Sequence, residues 1–265
     1  MSLDAETPGG GAQAVGLTPA ITACLFDLDG VLTQTLALHS AAWTQVFDTY
    51  LAARAARRDE PFVPFDPVAD YGEYVDGKQR RDGVRSFLAS RHIDLPEGAP
   101  DDPADAETIA GLGNHKHELV LAMLEHEGVR AYPGSVRYLE ATGAAGLRCA
   151  VVSSSTNCLE LLQGAGIDQL VEGHIDGEIA VRRNLRGKPA PDTFLAAAEL
   201  LGVRAENAAV FEDSLAGVEA GAAGGFGLVV GIDRVGRAEE LRRHGAQRVV
   251  ADLEELLPGQ TPSSM

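Results

Sequence analysis

The 265-residue chain carries a formal charge of −17, from 39 acidic and 22 basic side chains, and 45 % of it is hydrophobic. That length holds one large domain or a domain with a sizeable insertion, and the acidity excludes nucleic acid and anionic membrane as partners. No apolar run reaches the ~18 residues of a membrane span and no signal-peptide pattern opens the chain, so a cytoplasmic protein is expected. In chain order, residues 1–19, rich in Gly, Ala, Thr and Pro, predict a disordered tail. Apolar residues up to Phe26 predict a short buried parallel strand, followed by Asp27-Leu28-Asp29-Gly30. Residues 39–56, 83–91 and 106–127 carry helix-length apolar spacing, separated by Pro-rich loops at 60–67 and 96–103. After about residue 130, strand and helix signals alternate. Strands are expected at 148–152, 208–211, 227–232 and 249–251. Helices are expected after Ser153-Ser154-Ser155-Thr156-Asn157 through Leu162, and at 193–201, 215–223 and 238–244. Short strands separated by helices imply an α/β fold with a Rossmann-like parallel sheet covered on both faces. The helical block interrupts that rhythm and reads as an inserted α-helical cap domain at 35–131, leaving a core of 20–34 and 132–258.

Chemistry gathers at the strand ends. Residues i and i+2 of a strand point the same way, so Asp27 and Asp29 can face one site beyond the sheet edge where α/β proteins bind ligands. Two carboxylates so close call for a cation or a shared proton, although an Asp-rich turn would use the same residues. Ser153 ends the next strand, Lys188 lies in Gly187-Lys188-Pro189-Ala190-Pro191-Asp192, and Glu212-Asp213 follows the strand at 208–211. Singly, these read as a helix cap, a surface lysine and another cap. In this order they form a phosphoryl-transfer set, with a carboxylate nucleophile, a neighbouring acid/base, and a hydroxyl and lysine for the phosphoryl oxygens. Further carboxylates suit Mg²⁺, a hard cation. The three cysteines, Cys24, Cys149 and Cys158, lack metal spacing and read as buried reduced thiols. The glycine-rich 221–227 stretch precedes a strand, so it reads as a helix stop and not a phosphate cradle.

On these motifs, about residues 21–252 resemble the haloacid dehalogenase-type phosphotransferase superfamily. The resemblance implies that Asp27 forms an aspartyl-phosphate and that Asp29 is the general acid/base. It implies a Mg²⁺ site of Asp27, the Asp29 backbone carbonyl and Asp213, supported by Glu212, with Ser153 and Lys188 holding the transferring group. Thr35, His39 and Trp43 recur every four residues on one helix face, which by itself suits packing equally. At this distance after the first motif they resemble the β-phosphoglucomutase branch, where the threonine and histidine couple cap closure to the acid/base aspartate. Val75-Asp76-Gly77-Lys78-Gln79-Arg80 resembles its cap loop, with Gly77 in the loop and Arg80 on the distal phosphate. Lys116 takes the place of a substrate-facing cap lysine, and Ser155 and Asn157 match its phosphate-site pair. Thr156, His117 and Asp76 depart from the lysine, asparagine and lysine common there. The branch implies interconversion of β-glucose 1-phosphate and glucose 6-phosphate through the 1,6-bisphosphate, and a monomer is expected because the insertion gives the core its own lid. A sugar-phosphate phosphatase shares the same residues. A silent binding protein on this fold is disfavoured by the intact Asp27, Asp29, Lys188 and Asp213.

Overall fold

The computed structural model describes residues 10–259. Helix α1 (Gly10–Gln13) leads into strand β1 (Ala23–Phe26). Helices α2 (Leu36–Arg58), α3 (Arg80–Ser90) and α4 (Ile109–Glu127) follow, with a π-helical turn at Tyr71–Val75 before α3. Next come α5 (Pro133–Ala144), β2 (Arg148–Val152), α6 (Cys158–Gly164), β3 (Gly173–Ile175), α7 (Gly177–Arg182) and α8 (Asp192–Leu200). The chain closes through β4 (Ala208–Glu212), α9 (Leu215–Ala223), β5 (Leu228–Ile232), α10 (Ala238–Arg243) and β6 (Arg248–Val250). It divides into two compact units, Met1–Gln34 with Arg130–Met265, and Thr35–Val129.

The first unit is built on a six-stranded sheet in the order β3-β2-β1-β4-β5-β6, every pairing parallel. This is the α/β core that the alternating signals predict. Strand β1 sits mid-sheet, with Phe26 in register with Val151 on one side and Phe211 on the other. All of β1 is buried, which is why it reads as an unbroken apolar run. The strand order reverses between β1 and β4, and the crevice beyond their C-terminal ends is where such sheets take ligands. On one sheet face Leu25, Val210, Phe194 and Val218 share a core. On the other, Phe26 and Phe211 stack at 4.6 Å, and Tyr138 of α5 meets Phe26 edge-on at 6.3 Å. Burying each such ring contributes about 1.5–3 kcal/mol.

The N-terminal segment corrects an expectation. Residues 1–9 of the predicted disordered tail lie outside the described residues, but the segment from 10 to 19 packs. Ala12, Val15 and Leu17 are buried, and the Tyr138 hydroxyl donates to the Val15 carbonyl at 3.1 Å. Small apolar side chains let this segment cover α5, a contact that composition alone does not reveal. Sequence reasoning also missed α5, β3 and α7. Pro133 stands at the start of α5, where its missing N–H costs nothing. Strand β3 has three residues, and α7 starts from Asp176, whose carboxylate accepts from Ile179 N–H at 2.8 Å.

The second unit is helical. Its core joins Trp43, Phe47, Phe65, Val84, Phe87 and Leu112. Trp43 stacks on Phe47 at 5.0 Å and Phe47 meets Phe87 at 4.1 Å. The Pro-rich stretch after α2 contributes Phe65, whose N–H donates to Asp48 at 2.8 Å, so it is an anchored strap. Helix α4 begins later than predicted because Thr108 caps it, accepting from Gly111 N–H at 2.9 Å. Among the described residues, no helix is long and apolar enough to cross a membrane. All three cysteines are buried and unbridged.

Candidate active site

Strand β1 ends at Phe26, so Asp27 and Asp29 lie in the turn beyond it and not in the strand itself. The ladder persists one residue further, because Asp27 N–H donates to the Phe211 carbonyl at 2.9 Å. Leu28 then accepts from the N–H groups of Leu32 and Thr33, folding residues 28–33 into a tight loop. This loop gives the two carboxylates different surroundings. Asp27 is buried at the sheet edge and Asp29 is half-buried.

Lys188 is the cation of this site. Its loop is braced at the base by Arg186, whose guanidinium donates to Asp192 at 2.8 and 3.0 Å. The Lys188–Pro189 peptide is cis. The Nζ atom donates to Asp27 Oδ1 and Glu212 Oε1, reaches the Val152 carbonyl at 3.3 Å, and lies 5.0 Å from the centre of the Phe194 ring. The plain reading of Lys188 as a surface residue therefore fails, since its side chain is only 1 % exposed. Burial by itself would lower its pKa, yet Asp27 and Glu212 hold it above the ordinary lysine value. Burial also pushes the Asp27 carboxyl well above the usual range; Lys188 opposes that rise, and Glu212 and Asp29 add to it.

Glu212 is the last residue of β4 and is fully buried. Its second oxygen accepts from the backbone N–H and the hydroxyl of Ser214, each at 2.9 Å. Ser214 in turn caps α9 by accepting from Gly217 N–H at 3.1 Å. Glu212 thus spends its oxygens on Lys188 and Ser214, which suits a supporting carboxylate. Asp213 lies against Gly30, whose φ of +85° places its Cα where any Cβ would collide with the Asp213 carboxylate. Asp27, Glu212 and Asp213 offer carboxylate oxygens within 4.8 Å of one another, and all three are buried. One lysine leaves this group negative, and an all-oxygen donor set of that charge fits a hard divalent cation.

Ser153 is buried at the end of β2, and its hydroxyl accepts from Ser155 N–H at 3.0 Å. Ser155 Oγ accepts from Asn157 N–H at 3.2 Å, and Asn157 is the residue before α6. The two serine hydroxyls and the Asn157 N–H therefore brace one turn beyond the sheet.

The other predicted site residues belong to the helical unit. Thr35 is buried at the N-cap of α2. Lys116 of α4 is buried with its Nζ 2.7 Å from His39 Nδ1 and 5.3 Å from the centre of the Trp43 ring. A lysine ammonium only donates, so in this contact the His39 Nδ1 is the acceptor. Trp43 is 3 % exposed and shares the apolar core, so it supports Lys116 from behind rather than offering a face to substrate. Gly77 turns with a φ of +72° ahead of Arg80, the first residue of α3. Among the described residues, the buried Nη1 of Arg80 has no hydrogen-bond partner. Burial lowers His117 from 6.5 to about 4, and the charges of Arg80 and Lys116 add to the effect. Between these pH values the unfolded chain takes up a proton that the folded one refuses, so stability rises with pH across that window and is lost as the pH drops through it. An NMR titration should find His117 half-protonated near about pH 4. A midpoint near 6.5 would show that the ring is neither desolvated nor crowded by Arg80 and Lys116.

The family model of haloacid dehalogenase-like hydrolases matches residues 21–225. The chain belongs to that family. β-Phosphoglucomutase of Mycobacterium tuberculosis is 57 % identical over 249 residues, covering 93 % of this chain and 95 % of that protein. Hexitol phosphatase A of Escherichia coli is 30 % identical, over 77 % of this chain and 80 % of that protein. Among solved structures, β-phosphoglucomutase of Clostridium difficile shares the fold with a TM-score of 0.69 at 23 % identity, covering 89 % of this chain and 93 % of that one. Within this haloacid dehalogenase-like core, the structure brings Asp27, Lys188, Glu212 and Asp213 together, whereas Thr35, His39, Gly77, Arg80 and Lys116 lie in the other unit. Sequence reasoning missed Phe194 beneath Lys188 and Ser214 behind Glu212. The serine two residues past a strand-end glutamate was a usable signal for the second; nothing marked the first.

Proposed function

We propose that this chain is a Mg²⁺-dependent β-phosphoglucomutase acting through an aspartyl-phosphate on Asp27. The observation that carries the chemistry is Lys188, buried between Asp27 and Glu212 at the switch point of the sheet. The Mycobacterium tuberculosis relative supports the choice of substrate. Phosphorylated Asp27 gives its phosphoryl group to the 6-hydroxyl of β-glucose 1-phosphate, and Asp29 takes the hydroxyl proton. The bisphosphate then turns over. Asp27 attacks its 1-phosphorus, the bond to the sugar oxygen breaks, and Asp29 returns the proton to that oxygen, leaving glucose 6-phosphate. Lys188 and Ser153 hold the equatorial phosphoryl oxygens, with Ser155 and Asn157 beside them. Mg²⁺ held by Asp27, the Asp29 carbonyl and Asp213, with Glu212 in support, would neutralise charge on those oxygens. The helical unit acts as a cap. Arg80 and Lys116 grip the distal phosphate there, with Gly77 shaping the Arg80 loop, while Thr35 and His39 couple closure to Asp29 and water is excluded.

The likeness to hexitol phosphatase A favours one second reading, a sugar-phosphate phosphatase in which water takes the phosphoryl group. The two are separated by supplying β-glucose 1-phosphate, Mg²⁺ and a trace of bisphosphate primer. Glucose 6-phosphate without matching phosphate release is the expected result. Stoichiometric phosphate release would replace the mutase by the phosphatase.

A further inference from the structure

Arg234 follows β5, in a loop to which the phosphoryl-transfer reading gives no role. Its side chain is 12 % exposed and points beneath the Asp27–Gly30 loop. Nε donates to the Gly30 carbonyl at 2.9 Å, and Nη1 donates to the Ala251 carbonyl at 2.8 Å and to Asp252 at 2.9 Å. The guanidinium carbon lies 3.7 Å from the centre of the Tyr132 ring, which fixes the plane of the fork. Nη2 approaches Ser135 Oγ at 3.5 Å, and that hydroxyl donates to the Val31 carbonyl at 2.6 Å. Two successive carbonyls of the loop are therefore held from one side.

Gly30 needs such a tether. Asp213 packs so closely that no Cβ fits at this position, and the φ of +85° is open mainly to glycine. The residue that must stand there is thus the most mobile one. The Gly30 N–H, bonded to the Thr33 carbonyl at 2.9 Å, shares a rigid peptide plane with the Asp29 carbonyl. Thr33 anchors the plane on one side of Gly30, and Arg234 anchors the plane on the other.

We propose that Arg234 is a positioning residue that locks Gly30, and with it the Asp29 carbonyl and the seat of Asp213, in the geometry that receives Mg²⁺. This rests on the Mg²⁺ reading above. The sign of the effect separates positioning from simple charge. Removing a cation near a divalent metal would tighten metal binding by Coulomb's law, whereas loosening the seat weakens it.

The test is a calorimetric Mg²⁺ titration of the full chain as wild type, Arg234→Lys and Arg234→Ala. Weakening of about tenfold is expected in both variants, with kcat recovering as Mg²⁺ is raised. Unchanged or tighter binding in either variant that melts like the wild type would overturn the proposal. Should Arg234→Ala fail to fold, Arg234→Lys decides alone, since it keeps the charge and loses the fork. Amide hydrogen exchange gives a reading that needs no metal. Gly30 N–H is expected to exchange about tenfold faster or more in Arg234→Lys, and unchanged protection would sink the clamp. If the wild type itself binds no Mg²⁺, the metal reading fails and the Gly30 exchange rate alone judges Arg234.

Discussion

Asp27→Asn is expected to lower turnover by about 10⁴-fold or more and to abolish trapping of a phosphoenzyme. An amide nitrogen has no lone pair to offer phosphorus, yet the Asn oxygen still accepts from Lys188, so the site keeps its shape. The burial that raises the Asp27 carboxyl pKa would also be relieved, because the amide is neutral at every pH. The measurement is steady-state turnover beside acid-quench labelling, with a thermal melt to confirm the fold. Turnover within about tenfold of wild type would remove Asp27 as the nucleophile.

Lys188→Met should be strongly destabilising. The methionine fills similar volume over Phe194 but leaves Asp27 and Glu212 buried with no cation between them. Breaking a buried pair from one side costs about 3–5 kcal/mol. The loss should depend on pH in a definite sense. Without the ammonium, the raised Asp27 carboxyl is no longer opposed, so its folded pKa lies above the unfolded one. Stability is then retained below the ordinary carboxylate range and lost as pH rises through the folded value. Denaturant melts of the variant should show a larger deficit against wild type in alkaline than in acidic buffer. Its kcat should fall by about 10²–10³-fold, as for removal of one stabilising donor. A stability change under about 1 kcal/mol, flat with pH, would mean that the three groups do not share a buried charge network.

Much of the core was legible because its signals are local. An apolar run ending in Asp-x-Asp-Gly, and Glu-Asp after a second such run, mark strand ends whatever surrounds them. The geometric reason given by the strand pattern was nevertheless incomplete. Strand β1 stops before Asp27, and it is the loop of residues 28–33 that gives the two aspartates unequal burial. Lys188 was harder. A lysine on a proline-stiffened loop is ordinarily solvated, and its burial depends on partners 161 and 24 residues away in the chain. Trp43 shows the limit of periodicity, since a stripe every four residues suits a packing face and a binding face alike. Stacking on Phe47 favours packing. The buried Val15 and Leu17 and the short β3 escaped notice for a related reason: too few residues repeat to produce a pattern. Arg234 was invisible because what it holds is a backbone carbonyl, which no side-chain pattern reports.

In the proposed reaction Asp27 hands a phosphoryl group to a sugar and not to water. A single-turnover experiment tests it most directly. The full chain is labelled on Asp27 with ³²P from a bisphosphate donor, freed of excess donor, and mixed with unlabelled β-glucose 1-phosphate and Mg²⁺. The label is expected to pass to the sugar as bisphosphate, then to glucose 6-phosphate, with little inorganic phosphate. Label released as inorganic phosphate at the same rate with and without the sugar would contradict it.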